Sequence, residues 1–251
     1  MTNSEIKRAC LLGCPINITD ENEALSFVEN KISNGEPAQI VTINPEMIDH
    51  AQVNSEFDNI VKASDLVIPD GIGVIMALRL IGVKAQRMPG IEFSEKLLKL
   101  AEEKKYKVAF LGASEEVVTL AFKELKKKYP NLNVVYTRNG FFNQNEEKLI
   151  FEEIHNSAPD IVFVGLGSPK QEIFNYKYKS FANRTIMIGV GGCFDVWSNR
   201  VKRAPLIFRK LALEWFYRLL KQPERFNRVF PTIPLFLFKV MFNKSKNRKE
   251  Y

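Results

Sequence analysis

Ile40-Val41-Thr42-Ile43-Asn44-Pro45-Glu46 and, one helical stretch later, Leu66-Val67-Ile68-Pro69-Asp70-Gly71-Ile72-Gly73 decide how this chain is read. Each is a short run rich in β-branched and aliphatic residues that breaks into polar, Gly or Pro residues, the pattern of a strand running into a loop. In an open α/β sheet, ligands bind in the crevice outside the carboxyl ends of the strands. The first run delivers Thr42 and Asn44 to that crevice, and the second delivers Asp70. The same residues also have a plainer reading. Asn-Pro and Pro-Asp-Gly are turn signals, and an Asp in that place serves to cap the next helix.

The flanking sequence supplies the rest of the layer pattern. Upstream, Ala9-Cys10-Leu11-Leu12 fits a first strand, and Thr19 or Asp20 caps a helix that Gly35 and Pro37 close. Pro45 suits the first turn of a helix, and a buried helix is expected to begin at Gly71 and run to Leu80. Downstream, the spacing predicts helix 92–104, strand 107–111, helix 115–129, strand 132–136, helix 146–156, strand 160–164, helix 169–179 and strand 185–190. That alternation predicts an α/β fold over 1–199: a Rossmann-like, mostly parallel sheet with helices on both faces. Residues 200–251 read as a basic, partly helical C-terminal appendage.

Charge separates the two parts. Residues 200–251 hold 14 Lys/Arg against 3 Asp/Glu, leaving 22 against 26 in 1–199. The appendage interleaves these cations with Trp215, Phe216 and Phe226, which suits an anionic membrane surface where rings sit at headgroup level. Its longest apolar run, 229–242, is broken by Pro231, Pro234 and Lys239 and falls short of the about 20 residues a membrane span needs. No nucleic-acid module is present, so no nucleic-acid partner is expected. Cys10, Cys14 and Cys193 make neither an even disulfide set nor a zinc spacing. With no signal-peptide pattern at residue 1 onward, the expected place is the cytoplasm, peripherally bound to the inner face of the cell membrane.

Three predicted strands end in glycine: at Gly112, at Gly165-Leu166-Gly167-Ser168-Pro169-Lys170-Gln171-Glu172, and at Gly189-Val190-Gly191-Gly192. Glycine lets backbone N–H groups approach a phosphate, and a following helix N-terminus favours its charge. None completes a dinucleotide fingerprint or a P-loop. Three on one sheet edge suit a nucleotide-sized ligand. A serine hydrolase is excluded by the lack of G-x-S-x-G and of a partnered His, and no metal site or cofactor is expected. What remains is a carboxylate, hydroxyl and amide groups, glycine turns and arginines, a set able to activate a hydroxyl and stabilise a departing phosphate. A nicotinamide or flavin oxidoreductase and a non-catalytic membrane scaffold are the rival readings.

Thr42-x-Asn44, Pro69-Asp70-Gly71-x-Gly73, Arg87-x-Pro89-Gly90, Gly165-x-Gly167-x-Pro169-Lys170-Gln171-Glu172, Gly189-Val190-Gly191 and Arg203-Ala204-Pro205 resemble, in order, motifs of the WecG/TagA/CpsF glycosyltransferases, family 26. The stretch 215–228, with Arg218, Pro223, Arg225 and Arg228, is similar to that family's C-terminal appendage. The resemblance implies inverting transfer of an N-acetylhexosamine, N-acetylmannosamine above all, from a UDP-sugar donor to an undecaprenyl-diphosphate-linked acceptor in wall teichoic acid synthesis. N-acetylmannosaminuronic acid or glucose, in capsule or exopolysaccharide synthesis, is the alternative donor. It implies catalysis by Asp70 as general base, with Thr42 beside it. Asn44 and Gln171 would position the sugars, while Arg87 and the turns at Gly112, Gly165, Gly167 and Gly191 would hold the UDP. Lys170 and Glu172 belong to the same substrate-binding set. Arg218, Arg225 and Arg228 would close over the diphosphates at the membrane. The apolar face of 71–80 offers an interface for a homo-oligomer.

Overall fold

The structure is a computed structural model that describes residues 6–182, 184–205, 208 and 232–249. It opens with a hairpin, β1 (Arg8–Leu11) and β2 (Cys14–Asn17), paired antiparallel as a small sheet of its own. One strand was expected here. The second escapes notice because Pro15 sits within it, tolerated opposite Cys10 in a two-stranded sheet, where both strands are edges, and because Leu12 (φ 50°) and Gly13 (φ 90°) make the turn without an Asn-Gly signal.

Helix α1 (Glu21–Asn34) follows, with Asp20 and Glu23 forming a reciprocal capping box and Gly35 ending it at φ 67°. The chain then enters β3 (Ala38–Ile43), α2 (Pro45–Ala51), α3 (Ser55–Lys62), β4 (Leu66–Pro69), α4 (Ile72–Leu80) and α5 (Gly90–Lys104). Next come β5 (Lys107–Gly112), α6 (Glu115–Lys128), β6 (Asn133–Arg138), α7 (Gln144–Ser157), β7 (Ile161–Gly165), α8 (Lys170–Phe181), β8 (Ile186–Gly189) and the short α9 (Cys193–Trp197). Strands β3 to β8 form one wholly parallel sheet in the order β4-β3-β8-β7-β5-β6. The expected α/β architecture is therefore present.

Alternation along the strands sends side chains to two cores. Ile40, Ile68, Phe110, Phe163 and Ile188 meet α1, α5, α6 and α9 on one face. Val41, Ile43 and Val67 meet α2, α3 and α4 on the other, where Ala109, Leu111 and Val162 meet α7 and α8. The connection from β5 to β6 runs over the first face by α6, and the return to β7 crosses the second by α7. The order reverses between β5 and β7, and the crevice at such a reversal is where an open α/β sheet receives a ligand.

The last described helix, α10 (Thr232–Phe242), buries Phe236 and Val240 among Val41, Ile43, Val74 and Leu78. Beyond it the chain is fastened to the hairpin: Cys10 and Arg248 exchange backbone hydrogen bonds at 2.9 and 3.1 Å, and Gly13 N–H donates to the Lys246 carbonyl at 2.9 Å. Helix α10 thus covers much of the α4 face that the sequence offered to an oligomer, leaving Met76 and Leu80 exposed. Among the described residues no helix is long and apolar enough to cross a membrane.

Candidate active site

β3 and β4 lie side by side with Thr42 opposite Ile68 and Ile43 opposite Pro69, so their carboxyl ends open at one edge. Asp70 N–H donates to the Ile43 carbonyl at 2.8 Å, carrying the pairing one residue past the strand. Gly71 then turns the chain at φ 84° and ψ 152°, a conformation open to glycine because it has no Cβ. Helix α4 starts there with Gly71 at its N-cap, which has no side chain to cap it. Asp70 Oδ2 accepts from Gly90 N–H, the first residue of α5, at 3.2 Å. The Met88 N–H, one residue past Arg87, donates to the Pro69 carbonyl at 3.0 Å and holds that helix start against the strand end. Two helix N-termini therefore flank one carboxylate, each contributing partial positive charge.

Thr42 completes this corner. A Cβ on Gly90 would lie 2.9 Å from Thr42 Oγ1, so the α5 backbone abuts the threonine, and any side chain at 90 would displace it. Asn44 has a structural task that the sequence reading did not assign to it: its Oδ1 caps α2 by accepting from Met47 N–H at 3.0 Å. The amide nitrogen takes no part in that cap. Arg87 is half-buried in the loop that leads into α5.

The glycine turns gather on the other side of β3. Gly112 pairs with Gly165 in register at the β5/β7 reversal, and Ala113 N–H donates to the Gly165 carbonyl at 3.2 Å. Gly167 accepts from Gln171 N–H at 3.0 Å as α8 begins, with Lys170 exposed at the first position. Gln171 is only 5% exposed. Its Oε1 accepts from Gly191 N–H at 2.9 Å, and its Nε2 donates to Glu172 Oε1 at 2.7 Å. The glutamine thus fastens the β8 turn to the α8 start and keeps one N–H in hand.

Beneath Gln171 lies a buried polar layer that the sequence did not announce. Glu172 is 1% exposed, its backbone carbonyl accepts from Gln39 Nε2 at 3.0 Å, and its Oε2 is buried with no hydrogen-bond partner among the described residues. Burial pushes the Glu172 carboxyl above its ordinary range, while the hydrogen bond from Gln171 pulls the other way. Buried Asn175 is satisfied when its amide nitrogen faces the Gln171 carbonyl and its oxygen faces Gly189 N–H, both at 3.2 Å. Gln39 and Asn175 carried no signal in the sequence because each lies mid-element among apolar neighbours. Gly90 did stand in a quoted motif, but its partner is 20 residues away. Arg218, Arg225 and Arg228 lie outside the described residues.

A model of the glycosyl transferase WecG/TagA/CpsF family matches residues 9–250. The chain belongs to the WecG/TagA/CpsF glycosyltransferase family. It is 36% identical over 244 residues to an N-acetylglucosaminyldiphosphoundecaprenol N-acetyl-beta-D-mannosaminyltransferase of Bacillus spizizenii, covering 94% of both chains. A protein of the same name from Staphylococcus aureus is 37% identical over 211 residues, covering 84% of this chain and 82% of its own. These relatives lend no support to the oxidoreductase or scaffold readings.

Proposed function

We propose that this glycosyltransferase moves N-acetylmannosamine from its UDP-linked donor, with inversion, to N-acetylglucosamine carried on undecaprenyl diphosphate, in the teichoic acid type of wall synthesis. Family membership supplies the substrates, through relatives whose names state that donor sugar and acceptor. The observation that carries the mechanism is Asp70, held beside Thr42 by the α5 N-terminus at the carboxyl edge of the sheet. Asp70 takes the proton of the acceptor hydroxyl as that oxygen bonds to C1 of the donor sugar. The bond from C1 to the phosphate oxygen breaks on the opposite side, and UDP departs with the electron pair. A carboxylate is a weak base towards a sugar hydroxyl, so proton transfer accompanies attack instead of preceding it.

Arg87, Lys170 and the N–H groups of the turns at Gly112, Gly165, Gly167 and Gly191 receive the departing diphosphate, in the manner of helix-start anion sites. Thr42, Asn44 through its amide nitrogen, and Gln171 face the sugars, with Glu172 acting from beneath by holding Gln171. Arg218, Arg225 and Arg228 close over the diphosphates, in a C-terminal segment, 200–251, that forms a functional unit distinct from 1–199. Ile233 at the start of α10 lies 3.6 Å from where a Cβ on Gly73 would sit, which supports that segment's return to the edge bearing Asp70.

Membrane contact belongs to the same reading. Leu235, Phe238, Met241 and Phe242 of α10 are 53–69% exposed beside Met76 and Leu80, with exposed Lys239, Lys246, Arg248 and Lys249 nearby. An apolar face with a basic border next to the catalytic edge suits an enzyme whose acceptor is a lipid.

The test is UDP release from a panel of UDP-sugars with a short-chain lipid-diphosphate acceptor. UDP-N-acetylmannosamine should give the highest kcat/KM. Asp70→Asn should abolish turnover and leave UDP-induced thermal stabilisation in place. Near-normal rates in that variant would remove Asp70 from the role of base.

A further inference from the structure

Helix α5 orients the base, yet its own N-cap residue lends its start no side-chain cap. Pro89 at the N-cap has no side-chain donor or acceptor, and the helix begins with glycine. A glycine start that its N-cap side chain does not hold is a poor anchor for a geometry that must hold to a fraction of an ångström. Two residues into the helix, Glu92 Oε1 accepts from Arg203 Nη2 at 2.8 Å. The arginine side chain is 15% exposed and Glu92 38%. Arg203 Nε is sealed with no acceptor among the described residues, so within them Glu92 is the counter-charge to a largely desolvated cation. Arg203 also stands directly before Ala204-Pro205, and Ala204 is itself buried.

From this geometry we infer that Arg203 is a positioning residue for Asp70, acting through Glu92 and the first turn of α5. The chain of contact is short: Arg203 to Glu92, Glu92 to the helix start, Gly90 N–H to the Asp70 carboxylate. The same helix start backs Thr42, so a shift of α5 misplaces both groups at once. The pair ties the root of the C-terminal segment to the helix that aims the base. This rests on Asp70 being the base, and it accounts for the Arg203-Ala204-Pro205 motif, to which substrate contact alone assigns no task.

A positioning role has its own kinetic signature. Arg203→Ala and Glu92→Ala should each lower kcat about 10- to 100-fold, the scale of an ångström-sized misplacement, with KM for the UDP-sugar within about twofold of the parent. UDP-induced thermal stabilisation should persist in both. The exchanged pair, Arg203→Glu with Glu92→Arg, should recover at least tenfold over the weaker single variant. Wild-type kcat in Glu92→Ala beside an inactive Arg203→Ala would mean that Arg203 touches substrate directly, and would overturn the inference. A rise in KM at unchanged kcat would overturn it as well, as would an exchanged pair no better than its singles. Should Arg203→Ala lose the folded state by circular dichroism, Arg203→Lys and Glu92→Gln carry the same comparison. Asp70→Asn, assayed alongside, keeps the two readings apart: activity there defeats the base assignment, whereas an inactive Asp70→Asn beside fully active Arg203 and Glu92 variants defeats only the positioning role.

Discussion

Asp70 and Glu172 show how differently two carboxylates of one edge are treated. Asp70 is partly exposed and takes an N–H from a helix start. Glu172 is sealed beneath Gln171, and burial holds its proton more tightly in the folded chain than in the unfolded one. A carboxyl with a raised folded pKa contributes its stability below the unfolded value of about 4.3, and that contribution is lost as pH rises towards and through the folded value. Glu172→Gln keeps the acceptor for Gln171 Nε2 and removes the ionisation. Its Tm should therefore fall less than the parent's between pH 5 and pH 8, with the gap in favour of the variant widest at pH 8. Parallel Tm curves for the two proteins across that range would show that Glu172 ionises as freely as an exposed glutamate. The sequence offered Asn44 as a turn residue and Asp70 as a helix cap; in the structure the Asn44 oxygen caps α2, and the Asp70 carboxylate accepts from the first N–H of α5.

Among the elements, α10 and the hairpin are the pair whose partnership the sequence concealed. Helix α10 reads as an apolar run interrupted by proline and lysine, yet Pro234 lies in its first turn, where no N–H is needed, and Lys239 pairs with Asp49 at 2.8 Å. Phe236 is fully buried in the core shared by α2 and α4, so Phe236→Ala should cost about 3–5 kcal/mol. An unchanged Tm would show that α10 is not part of that core. Asn247 joins helix to hairpin: its Oδ1 accepts from Leu12 N–H at 2.9 Å, and its Nδ2 donates to the Val240 and Asn243 carbonyls at 2.7 and 3.0 Å. Asn247→Ala should cost about 1–3 kcal/mol, since Leu12 is buried and its N–H would lose its acceptor. Thermal unfolding of the two variants measures both contacts directly.

Over the whole molecule, the apolar face of α10 and α4 shares one end with the catalytic edge, which sets the orientation expected on a bilayer. Phe238 and Phe242 stack with ring centroids 4.2 Å apart and stand 56% and 69% exposed. Replacing both by serine should weaken cosedimentation with phosphatidylglycerol vesicles by about tenfold or more, because each buried ring contributes about 1.5–3 kcal/mol. Turnover on a water-soluble acceptor should be retained, and undiminished vesicle binding would place the membrane contact elsewhere. The sequence by itself determined the alternation of strand and helix, the strand ends that carry Thr42, Asp70 and the glycines, and the basic character of residues 200–251, because periodicity, turn chemistry and charge are local properties. Only the tertiary structure decided that Gly90 meets Asp70 across 20 residues, that Gln39 lies under Glu172 across 133, and that Arg203 holds Glu92 across 111. Such contacts are set by strand order and helix docking, and a sheet that places β8 beside β3 brings together residues that no spacing along the chain connects.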